Sequence, residues 1–106
     1  MAEQPTISTH VLDAQDGRPR RGVAVRLERI DDGHATPAGS ATTDEDGRVR
    51  RLLEGPLTEG VYRLELEIGG PFFERLALTF RVDDASRPYH VPLLLAPYSL
   101  TTYRGS

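Results

Sequence analysis

The chain has 106 residues, of which 38% are hydrophobic and 27% charged, and this size and composition are typical of one soluble globular domain. Its 13 basic and 16 acidic residues give a net charge of −3, which disfavours nucleic-acid binding because that role needs a concentrated positive face. Cysteine is absent, and its absence excludes disulfides, thiolate metal sites and a cysteine nucleophile.

The first residues, 1–5, have neither the basic nor the apolar region of a secretory signal. No apolar run approaches the length of a membrane span. We therefore expect a cytoplasmic protein with one domain over residues 1–106, in which residues 1–5 form a flexible N-terminus, and no membrane partner.

The first strand is predicted over residues 6–14, which are rich in β-branched side chains and lead to a turn at Asp16 and Gly17. Side chains alternate between the two faces of a strand, so the odd positions share one face while His10 and Leu12 share the other. A leucine beside a histidine on this nominally exposed face indicates that something covers it.

Short segments separated by turns follow. Residues 22–30 alternate as a second strand, and residues 32–37 predict a loop in which His34 is solvated. Residues 39–43 then form a short segment that leads into an acidic turn.

The acidic turn, residues 44–47, precedes a predicted strand over residues 48–53. An EF-hand register would place Thr42 and Leu53 where ligating carboxylates belong, so a calcium loop is disfavoured. A hairpin turn is the better interpretation.

The clearest strand covers residues 61–68, where Tyr62, Leu64 and Leu66 alternate with charged residues and are predicted to point inward. After a turn at residues 69–71, a further strand is predicted up to Val82. Both segments therefore indicate a sheet with one buried face.

The last strand, over residues 91–96, is apolar on both faces, which indicates that another subunit covers its second face. Pro92 cannot donate a hydrogen bond, so the pairing there must be irregular or at a sheet edge. About seven or eight short strands without a helical period predict an all-β, two-sheet antiparallel β-sandwich.

His10 and His90 are candidate catalytic residues. Taken singly, each is as readily explained as a buried, hydrogen-bonded histidine, and Arg48 and Arg104 as solvated arginines. Two imidazoles on faces that meet a subunit contact favour a role in proton transfer, because histidine titrates near neutral pH.

Four segments carry a family resemblance: residues 8–13 (STHVLD), 46–48 (DGR), 89–95 (YHVPLLL) and the terminal 103–106 (YRGS). They resemble the 5-hydroxyisourate hydrolases, the transthyretin-like enzymes of urate degradation, over nearly the whole chain. The resemblance implies a transthyretin-like (prealbumin-like) sandwich, a homotetramer built as a dimer of dimers, and active sites in the channel between the dimers. It further implies hydrolysis of the cyclic amide 5-hydroxyisourate to 2-oxo-4-hydroxy-4-carboxy-5-ureidoimidazoline, without a cofactor or metal.

By the same resemblance, the catalytic residues are His10, Arg48 and His90, with the two histidines activating water jointly. Substrate binding would involve His10 and Arg48 together with the terminal residues Tyr103, Arg104, Gly105 and Ser106. One departure is the short connection at residues 69–71, where relatives commonly carry a short helix. Two other functions stay open: a non-enzymatic carrier of a small aromatic ligand, and a plain β-sandwich interaction module.

Overall fold

Alternating apolar and polar residues fold this chain into strands, and the computed structural model describes residues 4–105. Within that range there are eight strands and no helix, so none that could span a membrane. The strands are β1 (Ile7–Asp13), β2 (Ala24–Asp31), β3 (His34–Thr42), β4 (Arg48–Val49), β5 (Gly60–Glu67), β6 (Arg75–Val82), β7 (Tyr89–Ala96) and β8 (Ser99–Thr102).

The strands form two four-stranded sheets, ordered β4-β1-β7-β8 and β3-β2-β5-β6. The core lies between them and is made by the inward positions of each strand; Val11, Leu64 and Leu93 are wholly buried there. The predicted two-sheet sandwich is confirmed, as is the inward alternation of the strand that begins at Gly60.

One pairing departs from the antiparallel prediction: β1 and β7 are parallel. Their register aligns Ser8 with His90, His10 with Pro92 and Leu12 with Leu94. A parallel pair needs a long connection, and here the chain visits both sheets between its first and seventh strands. The outer face of this pair, which we call the histidine face, therefore collects the even positions of both strands.

The prediction of a loop over residues 32–37 is wrong after Gly33, where the chain is already in a strand. Asp32 and Gly33 have φ of 49° and 78° and make a two-residue hairpin turn, so β3 begins directly at His34. Pro37 is tolerated because β3 is an edge strand and its register shifts beside Glu28. His34 is exposed, as predicted, but lies in a strand.

The strand predicted over residues 48–53 is also shorter than expected and ends at Val49. The following residues leave the sheet: Leu52 donates its N–H to the oxygen of Ile7, and Glu54 donates to Ala38 on β3. Because Leu52 and Leu53 are buried along this path, their apolar character reflects closure of the sandwich rather than a longer strand.

The connection between β5 and β6 is a hairpin that contains no helix. Gly69 donates its N–H to the oxygen of Glu74, and Gly70 donates to Phe73. The short connection is thus closed by main-chain hydrogen bonds, and Phe73 packs against the core.

Pro92 lies in the central strand β7, where it interrupts the ladder to β8. The ladder stops at the pair Leu93 and Thr102, and the chain pairs again at His90 and Gly105 in the same register. The missing N–H of Pro92 accounts for this gap, so the predicted irregularity is confirmed.

Candidate active site

Three of the residues proposed for catalysis meet on the histidine face. His10 on β1 and Arg48 on β4 are direct cross-strand partners, and their side chains therefore share a face. His90 on β7 pairs with Ser8, which precedes His10 by two residues on that face. All three side chains are half-buried, so they remain accessible to a small molecule.

His90 is held by a serine. Its Nδ1 atom lies 2.8 Å from Oγ of Ser8. Burial lowers the pKa of His90, and the positive charge of Arg48 and the neighbouring His10 lower it further. The ring is therefore neutral near neutral pH, the state in which an imidazole can accept a proton.

His10 is held by the main chain. Its Nε2 atom lies 2.9 Å from the carbonyl oxygen of Asp46. A carbonyl oxygen only accepts hydrogen bonds, so Nε2 carries the hydrogen and the neutral ring keeps its lone pair on Nδ1. The contact thereby fixes the tautomer of His10.

The acidic turn aligns both Arg48 and the carbonyl of Asp46. The carboxylate of Asp44 accepts the main-chain N–H groups of Arg48 and Asp46, each at 2.9 Å. These hydrogen bonds, that of Arg48 first, lower the pKa of Asp44. Gly47 takes a φ of 72° and donates its N–H to the oxygen of Asp44. The sequence therefore stabilises this turn by a carboxylate and a glycine.

The C-terminal segment passes beside His90. Gly105 donates its N–H to the main-chain oxygen of His90 at 2.8 Å. A Cβ atom on Gly105 would lie 2.6 Å from Cδ2 of the His90 ring, so glycine permits this close approach. Tyr103 is 56% exposed next to this contact. Ser106, the last proposed site residue, lies outside the described residues.

Arg104 turns away from the histidine face. Its guanidinium carbon lies 4.3 Å from the centroid of the buried Tyr89 ring. The hydroxyl of Tyr89 donates to the carboxylate of Asp83 at 2.7 Å, and that contact, with the nearby charge of Arg104, lowers the pKa of Asp83. Arg104 thus lies on Tyr89, and it borders a cavity that Tyr103 and His90 also line.

Sequence reasoning missed Ser8, Asp44 and the carbonyl of Asp46. Alternation along β1 already placed Ser8 on the face of His10, but its position beside His90 depends on the parallel pairing. The contact of His10 with a main-chain oxygen leaves no signal in side-chain composition.

A shallow cavity of about 370 Å³ adjoins His90. Its lining residues are Ser8, Thr9, Arg48, Val49, Arg50, Pro88 and His90. Within residues 4–105 no cluster of three or more His, Cys, Asp or Glu side chains is arranged to hold a metal ion. A neutral imidazole beside a guanidinium can activate water and bind an anionic or carbonyl oxygen.

Comparison with known proteins adds independent findings. The HIUase/Transthyretin family matches residues 7–105. A 5-hydroxyisourate hydrolase of Deinococcus radiodurans is 39% identical over 119 aligned positions that cover all of both chains.

Two solved structures extend the likeness to three dimensions. A 5-hydroxyisourate hydrolase of Klebsiella pneumoniae is 35% identical with a TM-score of 0.82, covering 95% of this chain and 99% of that one. A sea bream transthyretin in complex with thyroxine is 29% identical with a TM-score of 0.83, covering 93% of each chain. The sandwich is therefore shared by an enzyme and a ligand-binding protein.

Proposed function

Because the chain belongs to the HIUase/transthyretin family, we propose that it is the hydrolase of that family. It opens the six-membered ring of 5-hydroxyisourate with water and gives 2-oxo-4-hydroxy-4-carboxy-5-ureidoimidazoline, a step of urate degradation. The observation that carries this proposal is the convergence of His10, Arg48 and His90 on one accessible face.

The histidines supply the base. Water attacks the ring carbonyl carbon while a neutral imidazole takes its proton, and the same proton can then pass to the ring nitrogen as the C–N bond breaks. Both rings are suited to accept this proton, because His10 has its lone pair fixed on Nδ1 and the lowered pKa of His90 keeps it neutral. We assign the base to the pair without choosing between them.

Arg48 supplies the electrophilic partner. Its planar guanidinium can hold the oxygens of the heterocycle and stabilise the negative charge that develops at the carbonyl oxygen. One well-aimed donor of this kind contributes about 3–4 kcal/mol at a transition state. The hydrogen bond from the main-chain N–H of Arg48 to the carboxylate of Asp44 supports this role, because it fixes the backbone position from which the Arg48 side chain extends.

The C-terminal segment completes the substrate pocket in this proposal. Tyr103 and Gly105 border the His90 side, and Ser106 contributes its hydroxyl. Arg104 takes part by anchoring the segment on Tyr89, which its contact with that ring supports. The chemistry uses no cofactor or metal.

The enzyme works as a homotetramer, a dimer of dimers. Each chain forms a single domain, and the protein is cytoplasmic. Support comes from the histidine face itself, where Leu12 and Leu94 are aligned and only half-buried in one chain. A second dimer laid over this face would cover the leucines and enclose the histidines in a channel.

A carrier of a small aromatic ligand is the second candidate, favoured by the likeness to a transthyretin solved with thyroxine. A carrier needs a largely apolar site with few convergent polar groups. The histidine face instead combines two imidazoles and a guanidinium, which supports the enzyme.

The test is the decay of freshly generated 5-hydroxyisourate, followed by ultraviolet absorbance. We expect purified protein to accelerate decay well beyond the spontaneous rate, and His90→Ala to lower turnover by about 100-fold or more, as loss of a general base does. Decay at the spontaneous rate with a folded, tetrameric protein would overturn the hydrolase and leave the carrier.

A further inference from the structure

Ser8 lies beside His90 because β1 and β7 run parallel in register. Its Oγ atom is 2.8 Å from Nδ1 of His90. Among the described residues this is the only hydrogen bond that the Ser8 side chain makes, and Nε2 of His90 makes none. Ser8 is half-buried and borders the same cavity as His90 and Arg48.

A hydroxyl can hold an imidazole in either tautomer, because it both donates and accepts. If Nδ1–H donates to Oγ of Ser8, the lone pair lies on Nε2, the nitrogen without a protein partner in the described part of the chain. That arrangement mirrors His10, whose Nε2–H is held by the carbonyl of Asp46 while Nδ1 keeps the lone pair.

We propose that Ser8 is a positioning residue for His90: its hydroxyl accepts the Nδ1–H and thereby presents the lone pair of Nε2 as the proton acceptor. This inference rests on the proposed hydrolase. When His90 acts as the base, Nε2 takes a proton from water and later gives it to the departing ring nitrogen, while the Nδ1–H remains hydrogen-bonded to Ser8 throughout.

The hydroxyl of Ser8 is an uncharged hydrogen-bond partner, and this matters for the pKa of His90 because charged groups surround the ring. The charged and titratable groups around His90 are Arg48, Arg50, Arg81, Asp83, Tyr89, Tyr103 and Arg104, each of which lines one of its two cavities, and His10, which lowers its pKa. A carboxylate in place of the hydroxyl would stabilise the imidazolium and raise the pKa of His90. Serine orients the ring without raising that pKa.

The tautomer can be measured directly, without substrate, by ¹⁵N NMR of the histidine rings in the tetrameric protein. We expect the Nδ1–H tautomer for His90 in the wild type and a mixture of tautomers in Ser8→Ala. A wild-type spectrum with Nε2–H at His90 would overturn the assignment, whether or not the protein hydrolyses 5-hydroxyisourate.

Steady-state kinetics distinguishes a role of Ser8 in positioning His90 from a role in packing alone. Ser8→Ala should lower kcat by about 10- to 100-fold with little change in KM, as a misplaced catalytic group does. Ser8→Thr keeps an Oγ atom on a strand and should restore turnover, and Ser8→Asp should move the acidic limb of the rate profile to higher pH.

Ser40→Ala is the matched control, since Ser40 is exposed on β3 of the other sheet. Its turnover should equal that of the wild type. An active wild type with unchanged kcat and pH profile in Ser8→Ala would refute the role of Ser8 but not the hydrolase. An inactive wild type that shows the expected tautomer would refute the hydrolase instead.

Discussion

The main chain of Gly105 lies directly against the ring of His90: its N–H donates to the His90 oxygen at 2.8 Å, and a Cβ would lie 2.6 Å from Cδ2 of the ring. Gly105→Ala must therefore displace either the C-terminal segment or the imidazole. We expect turnover of 5-hydroxyisourate to fall by about 10- to 100-fold while the melting temperature stays near that of the wild type.

Gly70→Ala provides the control for this substitution. A Cβ there would meet the oxygen of Phe73 at 3.4 Å, an ordinary contact, and Gly70 needs no positive φ. Its turnover should match the wild type. Equal turnover in the Gly105 variant would show that the segment tolerates displacement and has no part in the site.

Arg48→Met removes the cation that faces both histidines. The pKa of His90 is lowered by burial first and by the charge of Arg48 second, so the titration midpoint of His90 should rise toward its ordinary value of about 6.5. Turnover should fall by about 100-fold or more, because a transition-state donor is lost. Proton NMR of the histidine rings and initial rates measure the two effects separately.

The sign of this shift follows from electrostatics. A neighbouring positive charge disfavours the imidazolium, and its removal makes protonation easier. Arg75→Met, on β6 of the other sheet, should leave both the His90 titration and the rate unchanged. An unchanged titration midpoint of His90 in Arg48→Met would mean that the guanidinium points away from His90.

Asp44→Ala should loosen the turn that presents the carbonyl of Asp46 to His10. The carboxylate accepts two main-chain N–H groups, and Ala offers no acceptor. Asp44→Asn retains an Oδ1 acceptor and is the matched comparison. We expect turnover to fall several-fold in the Ala variant and to stay nearer the wild type with Asn; equal losses in both would point to the charge rather than the turn.

The same carboxylate predicts an acid dependence. The pKa of Asp44 is lowered in the fold, so its contribution to stability is present above the ordinary pKa near 3.9 and is lost as pH falls through the lowered value. Thermal melts from pH 6 to pH 2 should therefore show a smaller loss of stability in Asp44→Ala than in the wild type. Identical pH slopes in the two proteins would contradict this assignment.

The sequence alone predicted most of the strands, the two-sheet sandwich and the outer face that holds His10. These follow from period-two alternation, which is a local property. The parallel register of β1 with β7 was not accessible in that way, because it depends on how distant segments cross between sheets. The serine beside His90 was missed for the same reason.

The predicted and observed strand boundaries differ most where turns lie. Gly33 and Pro37 predict one loop, yet a two-residue turn and an edge position accommodate both within a hairpin. The contact of the Arg104 guanidinium with Tyr89 likewise depends on the three-dimensional path of the C-terminal segment, which local sequence does not indicate.

Arg104→Met should weaken docking of the C-terminal segment by removing the cation over the Tyr89 ring. Such contacts at exposed positions contribute about 0.5–1 kcal/mol, so the undocked fraction should rise about two- to fivefold. The rate at which carboxypeptidase releases the terminal residues measures this fraction. Arg87→Met, in an exposed turn, is the control, and equal release rates in both variants would leave Arg104 without an anchoring role.

Leu94→Glu tests the proposed assembly. Leu12 and Leu94 are aligned on the histidine face and half-buried in one chain, so a carboxylate there would be desolvated if a second dimer covers that face. We expect the tetramer to dissociate to dimers and turnover to be lost while far-ultraviolet circular dichroism stays unchanged. Light scattering after size exclusion gives the mass. Ala77→Glu, exposed on β6, should remain tetrameric; a tetramer that survives Leu94→Glu would show that the dimers meet elsewhere.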